Sequence, residues 1–370
     1  MGLVARHRRF WIVIMVALLA VPMLVQAARQ PQAVSEDEAR VLSAAPAFPQ
    51  SFATWLGWPR AVDRYLGDHF GLRDEMVRVH GIVRYAIGVP MQSRVLLGAL
   101  STQPLVILGR DRQLFYKPDI EQANGRIMRS ADIATFADRA AELQAQLRAI
   151  NPRFVVAMPP NAATILPDRL PPWAADKPAI SEYDAMMVAL AQRGVTAVDL
   201  RPALLAADSI SSLYRRTDTH WNRLGSLIAY NALVNALGLQ EWTIDPRRVF
   251  RGFEPVPSGD LARMLAISAV LTDEDARIDL SADAPAPLKV LYIDTTYGGY
   301  VIETGRAGPT MAVIGDSFTQ EWPRFFAVHS GRSLWIHHEF ACRFRRAVLD
   351  RYRPDIVVLA PTERHMFCHN

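Results

Sequence analysis

Two short stretches hold side chains that could do covalent chemistry together. Residues 217–222 read TDTHWN, and residues 313–318 read VIGDSF. Neither has zinc-site spacing or the glycine pattern of a phosphate loop. Between them they hold a serine, an imidazole and a carboxylate. A serine hydroxyl at its free pKa is a poor nucleophile and needs an adjacent base. His220 can be that base. Asp218 can hold the second ring nitrogen and stabilise the imidazolium that forms. Residues two apart in an extended loop point to the same side, so Asp218 and His220 can converge. The chemistry open to such a set is acyl transfer through Ser317. Taken singly, a strand-end Asp-Ser is more often a turn or cap, and a lone loop histidine is more often structural. It is the pairing, at the ends of suitable elements, that points to function.

Those elements are legible in the pattern. A helix from Ser130 carries apolar Ile133, Phe136, Ala140, Leu143, Leu147 and Ile150 at helical spacing, with Ser130 as its cap. FVVAMPP (154–160) reads as a short buried strand. Ser181 opens a second helix that ends at Gly194, and VTAVDL (195–200) reads as a second strand. Asn222 caps a third helix closed by Gly238. TMAVIGDS is a strand running into a turn, and SLWIHHEF and PDIVVLAP complete the set. Apolar strands alternating with amphipathic helices predict an α/β fold, a parallel sheet sandwiched by helices. In open α/β sheets ligands bind at the carboxyl ends of strands, which is where Ser317 stands. VILGRDRQLFY (106–116) reads as a hairpin turning at Gly109 and Asp111. Aromatic-rich Phe48–Tyr85 predicts one or two helices. The section from about 240 to 309 is rich in Pro, Gly and Asp and reads as an irregular or β insertion.

At the N-terminus, RHRRF precedes an uncharged apolar run over residues 11–28. That is the pattern of an export signal, at the lower edge of the length needed to span a membrane. It is read as an anchor over a cleaved peptide, with Pro22 able to break the helix. The basic cluster places the remainder outside the cytoplasm. Residues 29–47 read as a linker, and 48–370 as the working domain. The balance of 41 basic to 37 acidic residues leaves a formal net charge of +4. With no basic run past the first nine residues, nucleic acid is excluded as a partner. Cys342 and Cys368 either pair outside the cytoplasm or stay as two thiols.

Several stretches together resemble the alginate O-acetyltransferase family of the AlgJ and AlgX type. YLGDHFGLRDEMVRVH (65–80) is similar to the family's Asp-His-Phe-Gly-Phe-Arg-Asp segment. The 106–116 hairpin is similar to its glycine–aspartate–aromatic hairpin, with Arg112-Gln113 where the family has Gly-Trp. VVAMPPNAATILPDRLP (155–171) resembles its Pro-Asn-Lys segment, with Ala162 in place of the lysine. RTDTHWN and VIGDSF resemble its two catalytic motifs in the family's order, and PSGDLARML and PDIVVLAPTERHM its later landmarks. The resemblance runs over about residues 48–366. It implies an SGNH-hydrolase-like (flavodoxin-like) domain, with Ser317 as nucleophile, His220 as base and Asp218 as its partner. It also implies acetyl transfer in the periplasm to a polysaccharide acceptor, with acetyl groups passed outward by a membrane-bound O-acyltransferase. No cofactor is implied.

Three further side chains are candidate substrate contacts. Asn161 is a candidate second oxyanion donor beside the backbone N–H of Ser317, or else a turn residue after Pro159-Pro160. Arg364 either meets an anionic polymer or forms an ion pair at a strand end beside Glu363. Trp221 either stacks on a sugar or covers the His220 loop from the core. Adjacent His337 and His338 are expected on opposite faces of a strand, so with His365 and His369 they read as structural rather than as a metal centre. Two other functions share the same features: an esterase using water as acceptor, and a polysaccharide-binding or assembly subunit without catalysis.

Overall fold

The computed structural model describes residues 2–28, 33–35, 40–87, 105–174, 180–208, 211–283, 288–293, 298–339 and 345–366. Cys342, Cys368 and His369 lie outside them. The chain divides into two compact units, Met1–Gln92 with Asp260–Leu271, and Ser93–Gly259 with Thr272–Asn370.

The first unit is helical. Helix Gly2–Ala28 runs through Pro22 rather than breaking there. Its Phe10–Ala28 portion is long and apolar enough to cross a membrane, by length and composition. A two-residue antiparallel pair joins Val34–Ser35 to Arg40–Val41 within the expected linker. Two helices follow, Phe52–Asp68 and Arg73–Ile87. Ser51 caps the former through a capping box with Thr54. Asp68 at its far end accepts from Ser43 N and Oγ at 2.9 and 2.6 Å. Short helix Asp260–Met264 belongs to this unit and begins on Asp260.

The second unit is built on a six-stranded sheet. In spatial order its strands are Arg153–Val156, Ile356–Ala360, Thr310–Gly315, Arg332–His337, Tyr300–Glu303 and Lys289–Tyr292. The first four run parallel, whereas the last two add on antiparallel. The sheet is therefore mixed, and its antiparallel edge comes from the stretch expected to be an insertion. The same stretch also holds a separate antiparallel hairpin, Phe250–Pro257 with Thr272–Ile278, and several short helices. VTAVDL does not become a strand. It makes one parallel bridge, Ala197 to Val156, and then turns, because Asp199 accepts from Arg201 N at 3.0 Å and helix Arg201–Asp208 starts there.

Period-two alternation sends strand side chains to two faces. On one face Phe154, Val156, Ala312, Ile314, Leu334, Ile336, Val357 and Leu359 pack with helices Ser130–Leu147 and Glu182–Gln192 through Ile133, Phe136, Leu143, Tyr183, Met186 and Leu190. Burying each such large apolar side chain is worth ~1.5–3 kcal/mol. Over the other face lie helices Trp322–Phe326 and Arg223–Ala236, where Tyr230 packs against Phe325 and Phe326. Ser181 caps its helix as expected, with a capping box to Asp184, and Gly194 follows at φ +67. Asn222 Oδ1 accepts from Gly225 N at 3.0 Å, and Gly238 also takes φ +67. Ser130 is instead the first helical residue, and Arg129 takes the cap position. The 106–116 hairpin forms with Asp111 in the left-handed region at φ 54.

Candidate active site

Strand Thr310–Gly315 is buried from Met311 onward and ends in a tight turn. Gly315 is needed there: a Cβ would fall 2.1 Å from Thr319 Oγ1 and 2.9 Å from the Ala360 carbonyl. Asp316 caps the turn, accepting from Phe318 N at 3.1 Å. Ser317 is thereby lifted into solvent while Asp316 and Phe318 on either side stay buried.

The histidine arrives on a tight loop. Asn222 N donates to Leu213 O at 2.8 Å and Arg215 N to His220 O at 3.3 Å, with an antiparallel bridge between Tyr214 and Trp221. The helix that Asn222 caps fixes the far end. Ser317 Oγ lies 2.7 Å from His220 Nε2, and Asp218 Oδ1 lies 2.6 Å from His220 Nδ1. An ionised Asp218 makes Nδ1 the protonated nitrogen and leaves Nε2 to accept the serine proton. Burial works against ionising Asp218. Hydrogen bonds from His220, with the charges of His220 and Arg215, nevertheless hold its carboxyl well below the usual range. The arrangement can draw a proton from Ser317 as it attacks a carbonyl and return it to a leaving group.

The two halves of the site are stitched together. Trp221 Nε1 donates to Phe318 O at 2.8 Å, and the His220 ring lies over Phe318 at 4.7 Å. Trp221 is buried, stacked on Trp322 at 6.2 Å and edge-on to Phe318 at 5.3 Å. It holds the loop from the core and offers no open face to a sugar. Asn161 is fully buried: its N–H donates to Glu363 Oε2 at 2.7 Å and its Nδ2 to Gln122 Oε1 at 3.2 Å. These bonds direct it to the strand-end network rather than to Ser317. Arg364 pairs not with Glu363 but with buried Asp119, at 2.6 Å, and its guanidinium lies 5.1 Å over the Phe318 ring.

The histidines do not sit on opposite faces. The strand ends at His337, and the His337 and His338 rings stack at 5.1 Å and 9°. His338 and His365 gather at Asp316, with His365 Nδ1 at 2.8 Å and His338 Nε2 at 3.6 Å from Asp316 Oδ2. These atoms are close enough to hold a metal ion. Yet the Asp316 oxygens already accept from Thr362 N and Thr362 Oγ1, both at 2.8 Å, as well as from Phe318 N and His365. A carboxylate so engaged is best described as the hub of a hydrogen-bonded network. Despite complete burial, the nearby His338 ring and the hydrogen bond from His365 hold its carboxyl well below the usual range.

Other supporting residues carry no local signal in the sequence. Buried Asp273 accepts from Thr217 N at 2.8 Å, Thr217 Oγ1 at 2.5 Å and Arg216 N at 3.2 Å. Gln113, from the hairpin, donates to Arg215 O at 2.9 Å. Gly259 N donates to Thr217 Oγ1 at 2.9 Å, and a Cβ on Gly259 would fall 2.2 Å from Asp218 Oδ2.

Glu363, fully buried behind the strand ends, also accepts from Thr164 Oγ1 at 2.8 Å. Burial pushes its carboxyl up to about 7. A folded pKa above the unfolded one gives stability that is complete below the unfolded pKa, near ~4.3, and is lost as pH rises through about 7. Glu363→Gln is therefore expected to gain on the parent as pH rises from 5 to 8. The gain, on the order of 3 kcal/mol at most, is read from thermal melts across that range. A constant gap would refute it.

Residues 106–337 match the family described as the SGNH hydrolase-like domain of acetyltransferase AlgX. The chain is also similar to the probable alginate O-acetylase AlgJ of Pseudomonas syringae pv. tomato, 26% identical over 179 residues, 46% of this chain and 44% of that protein. It thus spans less than half the length of that curated relative. Among solved structures it resembles Bacillus cereus PatB1 with a sulfonyl adduct, at TM-score 0.54 and 15% identity, covering 71% of this chain and 96% of that one. A DHHW family protein from Eubacterium siraeum gives TM-score 0.53 and 15% identity, covering 74% and 94%. Both structural likenesses speak to the fold.

Proposed function

The chain belongs to the family of AlgX-type SGNH hydrolase-like acetyltransferase domains, and from that premise we propose that it acetylates hydroxyls of an exported or cell-surface polysaccharide through an acetyl-serine intermediate. The observation that carries the reading is the Ser317–His220–Asp218 chain, at 2.7 and 2.6 Å. In the first half-reaction Ser317 Oγ bonds to the acetyl carbonyl carbon while His220 Nε2 takes its proton. The tetrahedral intermediate then collapses, the donor's leaving group departs with that proton, and acetyl-Ser317 remains. In the second, His220 deprotonates a sugar hydroxyl as it attacks. The acetyl ester forms on the polymer, and Ser317 is released with its proton restored. The Ser317 N–H is the proposed oxyanion donor.

The acceptor is taken to be alginate-like, because the AlgJ relative carries the name alginate O-acetylase. We place the domain in the periplasm, held to the inner membrane by helix Gly2–Ala28 and fed acetyl groups by a membrane-bound O-acyltransferase.

Incubation with an activated acetyl ester is expected to add one acetyl group to Ser317, read by intact mass. Adding the polysaccharide should speed loss of that group at least tenfold over hydrolysis, with acetyl appearing on the polymer. Discharge at one rate with and without polymer would favour the esterase. Polymer acetylation that persists in cells carrying only Ser317→Ala would favour the assembly subunit.

A further inference from the structure

Arg215 stands three residues before Asp218 and turns back onto it. Its Nη1 lies 3.0 Å from Asp218 Oδ2, while His220 uses Asp218 Oδ1. Its Nη2 donates to Pro257 O at 2.6 Å, and its Nε lies 3.9 Å from Asp273 Oδ2. The guanidinium thus bridges the histidine loop and the hairpin that carries Pro257 and Asp273.

The torsion that turns a carboxylate plane is broad and roughly two-fold. A carboxylate gripped at one oxygen can therefore swing and lose its aim. Asp218 is gripped at both, by the imidazole on Oδ1 and by the guanidinium on Oδ2. The Gly259 backbone closes against the same carboxylate and leaves no room there for a methyl group. The side chain of Asp218 is only 8% exposed, so its charge also needs a nearby partner.

We propose that Arg215 is a positioning residue for acyl transfer: it locks the plane of Asp218 and balances its buried charge, so that the His220 ring stays aimed at Ser317. The inference rests on the triad reading above and extends that set by a fourth member.

The test uses the full chain with p-nitrophenyl acetate as the probe ester. Arg215→Gln is expected to lower the acetylation rate constant about 10- to 100-fold, with little change in the ester's saturation constant. Arg215→Lys, which keeps the charge without the fork, recovers part of the loss. In an Asp218→Asn background, Arg215→Gln should cost less than about twofold more, because its effect runs through Asp218. That double variant also lacks the buried carboxylate whose unpaired charge would threaten folding of the single one. A further tenfold loss in the Asp218→Asn background, or unchanged acetylation in a folded Arg215→Gln protein, overturns the assignment. If the wild-type chain itself takes no acetyl group at Ser317, the triad reading falls, and that result is distinguishable from failure of the Arg215 claim alone.

Discussion

Replacing Ser317 by alanine is expected to abolish acetyl-enzyme formation without disturbing the fold. The hydroxyl stands exposed at the tip of its turn, so its removal opens no cavity, and stability should stay within about 0.5 kcal/mol of the parent. Acetylation by an activated ester should fall by roughly three orders of magnitude or more, because the set acts as a unit. His220→Ala should be nearly as damaging, since a serine without a base reacts slowly. Asp218→Asn should do less harm, because it disturbs the tautomer and aim of the ring rather than removing a reacting group. Intact mass and a thermal melt on each variant decide the matter. A Ser317→Ala protein that still gains one acetyl group would show that the nucleophile lies elsewhere.

Asp316→Ala is expected to fail in the opposite manner, through the fold first. It leaves four hydrogen-bond donors without their acceptor: Phe318 N, Thr362 N, Thr362 Oγ1 and the His365 ring. Breaking a buried charged hub of this kind costs about 3–5 kcal/mol, which should lower Tm by roughly 10 °C. Acetylation should also drop in whatever protein remains folded, because the turn that presents Ser317 loses its anchor. The pH sign follows from the direction of the shift. The Asp316 carboxyl is held well below its ordinary value, so its stabilisation is present above the unfolded pKa, ~3.9, and is lost as pH falls through the lower folded value. The gap in Tm between parent and variant should therefore be full at neutral pH and shrink in acid. A gap that instead widens as pH falls below 4 would contradict the account.

The parts of this site that the sequence reveals are those whose geometry is set within a few residues. Asn222 and Ser181 announce their helices because a cap's acceptor serves an amide three positions on. Asp218 and His220 meet as expected, but through a bend rather than an extended loop, in which Asp218 Oδ1 also accepts from His220 N at 3.1 Å. What stays hidden is set by partners far along the chain. Asp273 takes three hydrogen bonds from residues 56 and 57 positions away, and nothing in the acid-rich run TDEDAR (272–277) singles it out. Arg215 and Arg216 look alike in the sequence, yet only the former reaches Asp218 with its side chain. The histidines mislead because the opposite-face rule holds only within a strand: this one stops at His337, and His338 lies beyond it. VTAVDL has the composition of a strand, but the turn at Asp199 and Arg201 ends it after one bridge. The antiparallel edge of the sheet escapes notice because Lys289–Tyr292 and Tyr300–Glu303 are only four residues each and sit among turns.

The strand Ile356–Ala360 is the last of the sheet in sequence, yet it lies between Arg153–Val156 and Thr310–Gly315. All three residues proposed for the triad precede it in sequence, and without it Arg153–Val156 is not joined to the other four strands. The wedge that joins them also delivers Thr362 and His365, the residues that tie down Asp316. A chain that stops short of this strand thus keeps the bonds of Trp221 and Phe318 N to the serine turn but loses those of Thr362 and His365 to Asp316. Long-range pairing of this kind is slow, because loop closure comes before any gain from contact. Anchoring of the serine turn by Thr362 and His365 therefore waits on the strand that closes the sheet, so a truncation before Ile356 is expected to weaken that turn even though it spares Asp218, His220 and Ser317.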